Sequence, residues 1–174
     1  MMRTLLLSCL VLFIAGPRLL AGSAIFMPLE EIVRGADVVW ILEIEESKDL
    51  PVDTGQGEGT MVHVAKAKCL QSLKGPESGD RGFALVSSSL PSSSAVWRPL
   101  HKGRFIGFLN ARMGHFEFTD VWWLREIGED GKVDWIEKDQ KGVWTVSRID
   151  LGDAISKIRA ARNAEDVRRQ LEGR

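Results

Sequence analysis

Tyrosine is absent from the 174 residues, cysteine occurs twice, histidine three times and proline six times. Each scarcity removes a class of chemistry. His63, His101 and His115 are scattered, and none has the close i, i+4 or C-x-x-C type partner that signals a zinc site. No H-E-x-x-H helix, G-x-S-x-G turn or glycine-rich phosphate loop occurs, which removes the commonest hydrolase and nucleotide-binding readings. Charge of one sign is equally lacking. With 23 basic and 24 acidic residues the formal net charge is −1, which argues against bulk attraction to nucleic acid or anionic lipid.

What is present begins with the leader. Arg3 precedes an apolar run from Leu5 to Ala15, and small residues follow at Ala21, Gly22, Ser23 and Ala24. That order is the order of a secretory signal peptide, and the run is shorter than the roughly 20 apolar residues a membrane span needs. Cleavage after Ala24 is expected, giving a signal peptide over 1–24 and one exported domain over 25–174, periplasmic or extracellular, with no membrane anchor after cleavage. Cys9 leaves with the leader. Cys69 then stands alone, an intramolecular disulfide is impossible, and stability must come from core packing.

Hydrophobic patterning predicts a mostly β (α+β) chain. Pro28 and the carboxylates Glu30 and Glu31 mark a short helix that Gly35 ends. The run Val38 to Ile44 reads as a core strand. From Met61 to Leu73, His63, Ala65, Ala67 and Cys69 alternate with Val62, Val64, Lys66 and Lys68, which predicts a second long strand. Further strands are expected at Gly82 to Val86, Arg104 to Leu109, His115 to Ile127, Val133 to Ile136 and Val143 to Val146. The stretch His115 to Ile127 is read as one strand with Phe116, Phe118, Asp120, Trp122 and Leu124 on one face. Asp150 can cap a final helix, whose Leu151, Ile155 and Ile158 are extended by an apolar stripe at Ala160, Ala164, Val167 and Leu171.

The order of short helix, Ala36-Asp37-Val38-Val39, polar loop, long strand ending Leu73-Lys74-Gly75, Gly79-Asp80 and then Gly103-Arg104-Phe105-Ile106-Gly107-Phe108-Leu109 resembles bacterial exported domains with the netrin-like fold. The resemblance covers Leu29 to Asn110. It implies an OB-type β-barrel with a short N-terminal helix and a C-terminal helix, the fold of the tissue inhibitors of metalloproteinases. Inhibitors of that family bind zinc through an N-terminal cysteine, which this chain lacks. What the resemblance implies is therefore an exported barrel whose loops, at Lys48 to Thr60 and Ser87 to Pro99, bind a protein or glycan partner.

Candidate sites are few. Glu126 to Glu137 can be laid on the twelve-residue calcium loop, but Gly128 leaves its third position without a ligand and the flanks read as strands. A plain hairpin turn is the expectation. Glu117 and Asp120, three apart on one strand, would face opposite ways and could not flank a glycosidic bond. Cys69 reads as a small buried hydrophobe, although a hydrolase assembled from Cys69 and the histidines is one alternative. Six tryptophans remain. Trp97 beside the serine-rich loop and the adjacent Trp122 and Trp123 are the candidate ligand-binding residues, although the core is the expected place of every tryptophan but Trp97, with Trp40 and one of Trp122 and Trp123 pointing inward. No catalytic residue, metal or cofactor is implied, and the function expected is a non-enzymatic binding domain, with a carbohydrate-binding module as the other alternative.

Overall fold

The computed structural model describes residues 27–52, 60–76, 82–89, 100–118, 123–138 and 141–173. The leader, Trp97, Trp122 and most of the two expected recognition loops lie outside them. The described residues form helix α1 (Leu29–Gly35), strands β1 (Val38–Val52), β2 (Thr60–Lys74), β3 (Phe83–Ser89), β4 (Gly103–Arg112), β5 (His115–Glu117), β6 (Leu124–Ile127), β7 (Lys132–Lys138) and β8 (Trp144–Asp150), and helix α2 (Leu151–Glu172). Neither helix is long and apolar enough to cross a membrane.

Strands β1, β2, β3, β5 and β4 follow one another around a ring, and β4 returns to pair with β1. All the pairings are antiparallel except β3 with β5. The result is a closed five-stranded mixed barrel of the OB type, mostly β, with a short helix before it and a long helix after it. Strand β4 shares its second edge. Asn110–Arg112 pair with β5 to close the barrel, whereas Arg104–Gly107 pair with β6. From there β6, β7 and β8 continue as an extension of the sheet.

This branching explains why Val38 to Leu42 and Phe105 to Leu109 are apolar without alternation. Val38, Trp40, Leu42, Ile44, Phe105 and Leu109 fill the barrel interior. Their neighbours Val39, Ile41, Ile106 and Phe108 face outward into a second core with α1, α2 and β7. A strand buried on both faces has no position for a polar residue. Inside the barrel, Trp40 meets Phe83 and Phe116 edge-on at 5.2 and 4.8 Å between ring centroids, and its Nε1 donates to the Pro76 carbonyl at 3.0 Å. Gly107 is needed where β4 crosses β1, because a Cβ there would stand 2.6 Å from Leu42 Cδ2.

Strand β2 has its expected inner face, with Ala65 and Ala67 buried and Cys69 packed beside them. Lys66 and Lys68 lie outside, paired across the strands with Glu45 and Glu43 at 3.0 and 2.7 Å. At the end of β2, Lys74 Nζ donates to the Val33 carbonyl at 2.7 Å and to the Ala36 carbonyl. It thereby satisfies carbonyls that the end of α1 leaves unpaired. Partial burial, with Arg169 nearby, lowers the pKa of Lys74.

The expected single strand His115 to Ile127 is corrected to two. Strand β5 serves the barrel and β6 the extension, so the chain must leave one pairing surface for the other. The separation changes which residues face the core: Trp123, Arg125 and Ile127 are buried, while Leu124 is only partly so. The last strand is longer than expected, reaching Asp150. Asp150 does occupy the N-cap of α2, without a side-chain capping bond, and α2 runs to Glu172 without a break.

Candidate functional site

The concave surface of interest is built on the helix side of the molecule. Ala154, Ile158 and Ala161 recur at i, i+4 and i+7 and anchor α2 in the second core. One residue further round the helix, Ala160 and Ala164 carry no side chain long enough to reach the neighbouring elements. A groove of about 440 Å³ remains between them, the start of α1 and the end of β7. Its lining is apolar at Leu29, Trp135 and the three alanines Ala160, Ala161 and Ala164, and its rim carries Glu30, Glu137, Lys138 and Lys157. Glu137 Oε2 accepts from Lys157 Nζ at 2.7 Å across one side. Glu30 makes no ion pair among the described residues.

Three of the four described tryptophans, Trp40, Trp123 and Trp135, are buried, with Trp123 only 7% exposed and packed among core side chains. Trp144 differs from the expected core position: it is half-buried at the groove, because β8 is the last strand of the sheet. Lys138 Nζ stands 5.1 Å from its ring centroid. Trp97 and Trp122 lie outside the described residues.

The extension sheet hides a residue that sequence reading missed. Arg125 is 3% exposed, with its guanidinium carbon 4.3 Å from the Trp135 ring and 5.3 Å from that of Phe108. Burial pushes its pKa down to about 10, which leaves it charged at neutral pH. Its signal was available in parity, since Arg125 alternates with Trp123 and Ile127, but that signal required knowing which face of β6 was inward.

Residues weighed for other chemistry are placed apart. His63 is 1% exposed, and its Nδ1 stands 2.5 Å from Asp49 Oδ1 on the neighbouring strand. Cys69 lies six residues along the same strand, about 20 Å away at the usual rise and far beyond hydrogen-bond reach. His101 pairs with Glu126 at 3.1 Å on the surface. No group of three or more metal-ligating side chains converges among the described residues. Glu126 to Glu137 forms the β6–β7 hairpin, in which Gly131 takes a φ of 73°. Asp130 and Glu137 from that stretch bind Arg148 and Lys157 respectively.

No protein-family model matches the chain, and no curated protein is significantly similar to it.

Proposed function

We propose that this chain is an exported, non-enzymatic binding domain of the netrin-like kind, which recognises an apolar protein segment in the groove between α1, β7 and α2. The observation that carries the reading is the groove itself. Its floor is apolar, its rim carries both signs of charge, and that combination suits a protein surface better than a small charged substrate. The leader supports export. The strand order and the flanking helices support the netrin-like assignment. A second reading, glycan recognition, is favoured by Trp144, whose half-exposed indole offers area for stacking on a sugar face.

Affinity capture from envelope and medium fractions, with the wild-type protein and Ala164→Arg, tests the first reading. A partner retained by the wild type and lost with the arginine in the groove supports it. A partner held equally by both proteins contradicts it, as does no retained partner when both are folded. A glycan retained by wild type and lost in Trp144→Ala alone would favour the second reading.

A further inference from the structure

The groove is continued along α2 by exposed apolar side chains. Ala160, Ala164, Val167 and Leu171 fall at i, i+4, i+7 and i+11, a single stripe along α2. At its first end the alanines border the cavity. At its other end Val167 and Leu171 are 56% and 68% exposed, an unusual placement for two neighbouring large apolar side chains in helical turns that are otherwise mostly charged.

We infer that the groove's occupant is the α2 helix of a second copy of this chain, packed antiparallel about a two-fold axis between Ala164 and Val167. The inference rests on the protein-binding reading and assigns its partner. The axis places Leu171 of each copy over Ala160 of the other, and Val167 over Ala164, so that each pair of large side chains enters the opposite groove. Such an interface is isologous and closes at two copies.

Charge follows the same operation. Arg168 lies on the flank of the stripe that faces the groove, and the axis carries it to the level of Asn163, beside the rim carboxylate of Glu30. Glu172 arrives at the level of Arg159, about 3 Å along the helix from Lys157. Opposite charges therefore meet at both rims, which favours this register over a slipped one.

Sedimentation equilibrium of the purified protein, with Leu171→Asp and Ala164→Arg, tests the inference. Both substitutions are at exposed positions, and circular dichroism confirms that each variant is folded. The expected result is a concentration-dependent dimer whose dissociation constant rises at least tenfold in either variant. Register is tested in a Cys69→Ser background. Ala160→Cys combined with Leu171→Cys should give an oxidised covalent dimer, and neither cysteine alone should, since like positions lie about 16 Å apart along the helix and disulfides need Cα atoms within about 7 Å.

A wild-type protein that stays monomeric overturns the inference. So does a dimer indifferent to both substitutions, or one cross-linked equally by a single cysteine. A monomer that still retains another partner in an Ala164-dependent way removes the second copy and leaves the groove reading standing. A monomer with no such partner removes both.

Discussion

The guanidinium of Arg125 lies over the Trp135 ring at 4.3 Å, so a permanent charge sits in the second core directly behind the groove floor. Trp135 lines that groove, and the cation and the indole hold each other's position. Truncation of the arginine removes both its charge and its packing. Arg125→Ala is expected to cost about 2 kcal/mol in urea unfolding, from the loss of a desolvated cation–π contact and of the packing of the arginine stem. A loss below about 1 kcal/mol would show that the charge is not held as described.

The barrel interior makes a separate prediction through Trp40. Trp40→Phe keeps most of the ring contact with Phe83 and Phe116 but deletes the donor to Pro76, and should cost about 1 kcal/mol. Trp40→Ala should cost about 3–5 kcal/mol. Similar losses for the two variants in thermal unfolding would mean that the hydrogen bond, rather than the ring cluster, holds this end of the barrel.

Gly107 reports the closeness of β4 to β1. Leu42 and Leu109, the side chains a new methyl would meet, are fully buried, so neither can swing into solvent. Gly107→Ala is expected to destabilise by about 1–3 kcal/mol through overpacking. The same substitution at Gly152, where nothing lies within 4 Å and the backbone is helical, should be neutral or stabilising.

The outer face of β1 and β2 predicts a pH effect. The hydrogen bond from Lys66 holds the Glu45 carboxyl below its ordinary pKa, with the charge of Lys66 acting in the same direction. The folded state thus binds this proton less readily than the unfolded chain. Stability from Glu45 is present above the ordinary glutamate range and is lost as pH falls through the lowered folded value. Glu45→Gln should therefore lie below wild type at neutral pH and converge on it in acid. Parallel curves from pH 7 to pH 3 would contradict the ion pair.

The barrel was legible in the sequence because its strands carry simple patterns. The two-sided burial of Val38 to Leu42 appears as an unbroken apolar run, and the one-sided burial of β2 as the alternation of Ala65 and Ala67 with Lys66 and Lys68. The division of His115 to Ile127 was not legible. Its cause is that β4 gives one edge to two different strands, a fact of tertiary pairing with no local period. Trp144 was misplaced for a related reason, since residue type does not reveal that β8 ends the sheet. The stripe Ala160, Ala164, Val167 and Leu171 was visible, but its use depends on where α1 and β7 leave space.

Hydrogen–deuterium exchange, followed as protein concentration rises or as a captured partner is added, tests most directly whether recognition lies on the helix side. The account predicts added protection in α2 from Lys157 to Leu171 and at the end of β7 from Trp135 to Lys138, with β1 from Ser47 to Val52 unchanged. Protection confined to that end of β1, with α2 and β7 exchanging as before, would place recognition away from the groove, where β1 pairs with the start of β2, and contradict it.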